Sequence, residues 1–562
     1  MKFPQMPYRR PDLAAIEEKT AGILRRISAA ASAEEQARAY LDFEALERET
    51  ATACTLASIR HTIDTRDSFY DQENDYVDEI APALQELRQR ISLALLGSAF
   101  RRELEERFGK LLFTNLEISA RSMKPEIMPL MQEENRLRSE YQKLCASAVV
   151  DWEGTRLPLP RLGPFKESAS REVRRRAYET EGQWYDSHRE ELDELYDRLV
   201  KNRTAQGRTM GRESFIPVAY DRLSRNCWDV RDAAAFREQI ARDMVPLVSR
   251  VKDRQAKRLG LEKLKFFDDA IRFPDGNAVP QGSAGDILAA GREMYRQLSP
   301  QTAEFIDFLY DGELLDVLSR EGKAPGGYCT ELPAYKAPFI FSNFVGTSGD
   351  VDVLTHEAGH AFAAYRAARM DCLDALKSPT IEACECHSMS MEFLTAPWHS
   401  LFFGPQTAKY ERDHCEQALI FLPYGCMVDE FQQGVYEQPG LSPEERNRLW
   451  LDLERKYRPW TDFDGLPFYS RGAGWQRQLH IYQEPFYYLD YCMAQMVALQ
   501  FWQASLANRE DTWKRYLRFV DEAGTRTFRE LVEDAGLCLP YAPGCAAEVG
   551  ESVGRWLENN PM

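Results

Sequence analysis

The sequence predicts a mainly α protein, and three observations carry that prediction. Apolar residues recur three and four apart among charges in long stretches such as "ASAEEQARAYLDFEALERETATACTLASIRHTI" and "DEIAPALQELRQRISLALLGSAFRRELEERFGKLLF", the pattern of amphipathic helices packed in a bundle. No run of about 18 apolar residues interrupts it, so these helices belong to a globular body and not to a membrane. The 562 residues are 44% hydrophobic and 28% charged, enough apolar surface to build a large core.

Taken in order, "SASREVRRRAYETEGQWYDSHREELDELYDRLVKNRTAQGRTMG" carries the helical texture to about residue 211. Before it, "DWEGTRLPLPRLGPF" (151–165) reads as a turn or short hairpin between helices. A second interruption, "FPDGNAVPQGSAGDIL" (273–288), offers Ser283 as the N-cap of a following helix. Neither is a flexible linker. The expectation is an N-terminal helical region (1–205) and a catalytic region (206–562), together one continuous helical body. Texture changes at residue 322, where "GKAPGGYCTELPAYKAPFIFSNFVGTSGDVDVL" holds two short strand patterns, "GYCTEL" and "PFIFSNF". The stretch 457–491, "YRPWTDFDGLPFYSRGAGWQRQLHIYQEPFYYLDY", is the other non-helical, aromatic-rich segment. These two bracket the motif discussed next.

Residues 354–362 read "LTHEAGHAF". On a helix, residues four apart lie one turn up on the same face, so His356 and His360 can each give one ring nitrogen to a single cation. Glu357 sits about 100° around the axis, within reach of a water on that cation without binding the metal itself. Neutral imidazoles with an open coordination position suit zinc. Ser348 or Asp350 can cap the helix, and Val351, Leu354, Ala358 and Phe362 recur at helical spacing. Gly359 inside a helix costs about 1 kcal/mol and signals close packing. The next helix, "SPTIEACECHSMSMEFLT", opens with Ser378 and Pro379 and carries Glu382, Glu385, His387 and Glu392. One of its carboxylates should complete a two-His, one-Glu site, and spacing leaves the choice among them open.

Through "GGYCTELP", "THEAGHAF", "IEACECHSMSMEF" and "HIYQEPFYYLDYCMAQ", the whole chain resembles the zinc oligopeptidases of the thimet oligopeptidase and oligoendopeptidase F type, and its start, "FPQMPYRRPDL", is similar to the bacterial Pz-peptidase branch. The resemblance implies a large helical ellipsoid with a deep substrate channel and a small β-sheet beside one zinc ion. It implies Glu385 as third ligand, Glu392 as an acid orienting a histidine ligand, and His480, Tyr488 and Tyr491, with Tyr487 nearby, facing the scissile carbonyl. Gly326, Gly327 and Tyr328 would begin the edge strand along which substrate lies. The implied activity is hydrolysis of internal bonds in short unstructured peptides, with Glu357 as general base.

Other features narrow the setting. Twelve cysteines form no CxxC pair, as expected of free thiols in a reducing compartment. The start, "MKFPQMPYRRPDLAAIEEKT", lacks the apolar core of a signal peptide, so a cytoplasmic protein is expected. A net charge of −18 repels phosphate backbones and anionic lipid, which argues against nucleic acid and membrane as partners. Oligomeric state is left open. Cys386, one residue from Glu385, is a candidate for oxidation sensitivity. Two rival readings remain at this stage: a helical zinc carboxypeptidase, with Arg471 or Arg477 anchoring a terminal carboxylate, and a peptide-binding protein without catalysis.

Overall fold

The structure, a computed structural model, describes residues 1–561. Its periodic segments are helices. Leu13–Ala29, Ala33–Ile63 and Ser68–Leu96 lie against one another, each opened by an acceptor side chain: Asp12, Ser32 and Asp67 take backbone N–H groups of the first turn. The proline- and glycine-rich stretch after residue 148 is a hairpin, strands β1 (Val149–Trp152) and β2 (Thr155–Pro158). Its two-residue turn is Glu153-Gly154, both at positive φ, as a tight hairpin requires. Ser283 caps the helix Ala284–Leu298 in a reciprocal bond with Asp286.

The small sheet has three strands, β3 (Leu315–Leu318), β4 (Tyr328–Leu332) and β5 (Ala337–Phe344), in the order β3-β5-β4. β5 is central and almost wholly buried, which is why "APFIFSNF" is apolar with little alternation. β4 runs antiparallel to it, Tyr328 opposite Phe341 and Leu332 opposite Ala337. β4 therefore keeps one unpaired edge. β3, parallel to β5, was not expected from the sequence.

The helix carrying "THEAGH" spans Ser348–Ala367 and follows β5 directly. Its cap differs from the expectation. Thr347 is the N-cap, and Asp350 reaches back to accept N–H from Val345, Gly346 and Thr347 at 2.8, 2.5 and 2.9 Å. The following helix begins later than expected, at Ile381, with Ser378 and Pro379 outside it. The two helices approach closely at Gly359: a Cβ there would lie 2.6 Å from the Cα of Ser388 and 2.9 Å from the carbonyl oxygen of His387. Glycine is what permits this contact. Behind them, the helix Tyr488–Ala507 is buried at every residue from Cys492 to Leu499. It packs on Ile381–Leu394 and on Thr407–Glu437, as a helix apolar all round must.

Arg203, fully buried, ties the N-terminal helices to the rest. It donates to Glu134 (2.6 Å), the Tyr436 hydroxyl (2.9 Å) and the Tyr482 carbonyl (2.5 Å).

Candidate active site

His356 and His360 project from one face of the Ser348–Ala367 helix, ring centroids 4.9 Å apart. Both Nε2 atoms point at one oxygen of Glu385, from the Ile381–Leu394 helix, at 3.4 and 3.5 Å. Glu382 turns elsewhere and accepts from the Trp228 indole at 2.9 Å. Nδ1–H of His356 donates to Glu392 at 2.7 Å, which fixes the ring so that Nε2 faces Glu385. The other Glu392 oxygen accepts from His414 Nε2 at 2.9 Å. Burial acts to raise the pKa of Glu392, but its two imidazole partners outweigh this and hold it at about 2.

The cluster suits a divalent ion on the chemistry of its donors. Three ligand atoms, two imidazole nitrogens and one carboxylate oxygen, lie within 4.8 Å of one another, and their free side faces a groove, the arrangement of a site with an open coordination position. Glu357 lies on the same helix and lines that groove. Burial raises its pKa, against the pull of His356 and His360. The groove holds a cavity of about 700 Å³. One wall is β4; another is the His-His-Glu cluster with Cys384; Ala51 and Thr55 of the Ala33–Ile63 helix close it from the N-terminal side.

Comparison with known proteins places this geometry. Residues 3–123 match the Peptidase M3 N-terminal domain and residues 304–551 match Peptidase family M3. A structure of Pz peptidase A with an inhibitor is 44% identical, with 99% of each chain covered and a TM-score of 0.94. The chain belongs to peptidase family M3. A protein described provisionally as oligoendopeptidase F is 45% identical over 99% of each chain, with a TM-score of 0.94. Another, from Bacillus anthracis str. Ames, is 40% identical over 100% of this chain and 98% of that one, with a TM-score of 0.89. Among curated proteins, none matches.

In this M3 peptidase the aromatic stretch forms the remaining wall. Tyr487 and Tyr491 line the groove, and the Tyr487 hydroxyl lies 3.3 Å from Glu385 Oε1. Tyr488 packs behind them, its ring 5.6 Å from Phe421 and 5.9 Å from Tyr424. His480 stands between the three tyrosines, 5.7 Å from Tyr487, 5.0 Å from Tyr488 and 5.9 Å from Tyr491 between ring centroids. Its protonation is readable from its neighbours. Tyr424 donates to Gln478 Oε1 at 2.8 Å, so the Gln478 amide nitrogen faces His480 Nδ1 at 2.9 Å. Nδ1 is thus the acceptor and Nε2 carries the proton. Burial lowers the pKa of this imidazole, which keeps it neutral.

The glycines before β4 have local reasons. Gly326 takes φ +95, and a Cβ at Gly327 would stand 3.2 Å from Ser342 Oγ. Tyr328 bonds Thr62 at 2.6 Å and stacks on Phe341. Arg471 and Arg477 are engaged away from the groove, Arg471 with Asp186 and Arg477 with Glu181 at 3.3 Å, which removes both as anchors for a terminal carboxylate. Cys386 is fully buried, whereas Cys384 and Cys329 line the groove. Burial pushes the thiols of all three well up, which makes them poor nucleophiles. Sequence reasoning missed His414, which stands 22 residues after Glu392 in no recognisable motif.

Proposed function

We propose that this M3 peptidase is a zinc-dependent oligoendopeptidase that cuts internal bonds of short, unstructured peptides, with one zinc ion per chain held by His356, His360 and Glu385. Glu357 carries the reading: a carboxylate beside a His-His-Glu cluster, open to a groove bounded by the unpaired edge of a strand. When bound, zinc would polarise the substrate carbonyl and acidify the attacking water.

The chain's own groups do the rest. Glu357 accepts the proton of the attacking water on its carboxylate and passes it to the departing amine nitrogen. Its raised pKa brings it nearer the range in which it can both take and return that proton. His480, donating from Nε2, and the hydroxyl of Tyr491 stabilise the charge that develops on the carbonyl oxygen, where a well-placed donor is worth about 3–4 kcal/mol. Tyr488, expected to share that task, packs toward Phe421 instead and supports the His480 ring at 5.0 Å. Glu392 fixes the ring of His356. Substrate lies as an added strand along β4, starting at Gly326, Gly327 and Tyr328, and is held by main-chain hydrogen bonds.

In this reading residues 206–562 hold the chemistry and residues 1–205 close the groove through Ala51 and Thr55. Twelve unpaired cysteines favour the cytoplasm as the compartment. Among the described residues no helix is long and apolar enough to cross a membrane.

The test is a digest of mixed short peptides with the fragments sequenced. Internal cuts that stop with chelator and return with zinc are expected. Stepwise trimming from the C-terminus, or cleavage indifferent to chelator, would overturn the proposal.

A further inference from the structure

We propose that Glu331 is a specificity-determining residue of the groove, its carboxylate receiving a cationic group of the bound peptide: a lysine or arginine side chain, or the terminal ammonium. The inference rests on the reading of β4 as the strand beside which substrate lies.

Side chains alternate along β4. Tyr328 is committed to Thr62 and Phe341, which fixes one face of the strand against the N-terminal helices and against β5. Cys329 and Glu331 share the other face. Cys329 lines one cavity with His356, Glu357 and His360, so this face looks toward the reacting centre. Glu331 stands two residues further along, about 7 Å away at the rise of a strand, and lines the same cavity.

Three carboxylates line that cavity, Glu331, Glu357 and Glu385. Glu385 is held by His356, His360 and Tyr487, and Glu357 is the proposed base. Glu331 alone is unassigned. Among the described residues it accepts no hydrogen bond and has no lysine, arginine or histidine nitrogen within ion-pair distance. Lys377, which lines the same cavity and whose charge acts on Glu331, is bonded instead to Asp374 at 2.6 Å. Glu331 is half-buried in the cavity wall, and that burial pushes its pKa up to about 7. A carboxylate drawn partly out of water without a donor is unfavourable. An ammonium or guanidinium entering the groove supplies both the missing donor and the opposite charge, a charge-assisted hydrogen bond stronger than a neutral one.

The experiment uses zinc-loaded enzyme and a set of otherwise identical short peptides. Lysine is moved one position at a time against norleucine, and each peptide is made with a free and an acetylated N-terminus. The readout is the ratio of kcat/KM for lysine over norleucine. At one position wild type should give a ratio of about ten. Glu331→Gln should bring that ratio to about one, and Glu331→Lys should invert it. A preference lost on acetylation instead identifies the terminal ammonium as the cation. Equal rates at every position together with indifference to acetylation, or a preference that survives in Glu331→Gln, would overturn the proposal. If wild type cleaves neither peptide, the peptidase reading fails instead. Calorimetric affinities of Glu357→Gln and of Glu331→Gln/Glu357→Gln for the same pairs then decide the role of Glu331. Tighter binding of the cationic peptide by the first variant and not by the second supports it; the same affinities in both overturn it.

Discussion

Glu357→Gln keeps the shape of the side chain and removes its ability to take a proton. The expected outcome is full metal content, measured by atomic absorption, with kcat lower by about 10²–10⁴-fold. His356→Ala should lose the metal itself. Glu392→Ala deprives His356 of its acceptor and leaves His414 without its partner, and metal affinity should fall about 10–100-fold in a competition titration with a chelating dye. At this scale the histidine pair was legible, because two histidines four apart with glutamate between them need only a helix to converge. Spacing left Glu382, Glu385 and Glu392 open, and only the resemblance singled out Glu385. The aromatic stretch was not. Tyr487, Tyr488 and Tyr491 are alike in sequence, and what separates them is a helix that begins at Tyr488: it turns that ring toward Phe421 and leaves its neighbours on the groove.

Between elements, the decisive contact is the crossing of the two ligand helices at Gly359. Gly359→Ala sets a Cβ 2.6 Å from backbone, where no flexible side chain can yield. The expected cost is about 1–3 kcal/mol of stability, read by denaturant unfolding. Because the helices must separate, Glu385 moves from the imidazoles and metal affinity should fall with it. The strands "GYCTEL" and "PFIFSNF" were readable because turn residues bound them. β3 was not: "LDVL" follows a helix in a charged, helix-like run, and it is a strand because β5 offers it a parallel partner. The caps were misplaced for a related reason. Asp350 serves the turn at Val345–Thr347, where Gly346 takes φ +97, and only the path from β5 into the helix shows that need.

At the scale of the molecule, residues far apart in sequence build one groove. Thr62 meets Tyr328, and Ala51 and Thr55 line the same groove as the His-His-Glu cluster. Sequence pattern cannot show such pairings, since neither partner carries a local signal of the other. Arg203 is the strongest of these ties. Arg203→Ala leaves the buried Glu134 with one fewer cation and should cost about 3–5 kcal/mol, seen as a lower midpoint in guanidinium unfolding. The same pair sets an acid limit. Burial would raise the pKa of Glu134, but Arg203 and Arg222 outweigh it and hold it at about 2, against 4.5 for an ordinary glutamate. A carboxyl depressed on folding stabilises above its unfolded pKa and loses that contribution as pH falls through its folded one. Stability should therefore decline between about pH 4.5 and pH 2, and Arg203→Ala should flatten the decline when unfolding is followed against pH.

The two ligand helices and the one bearing His414 meet through Glu385 and Glu392. An ion seated between the first two would act as a rivet through two separate rods of the scaffold, with the Glu392–His414 contact tying the third to them. Occupancy at a hundredfold excess over its dissociation constant adds about 2.7 kcal/mol to the folded state. Stripped protein should thus melt earlier and be nicked faster by trypsin, and a cell starved of the ion would lose the protein along with its activity.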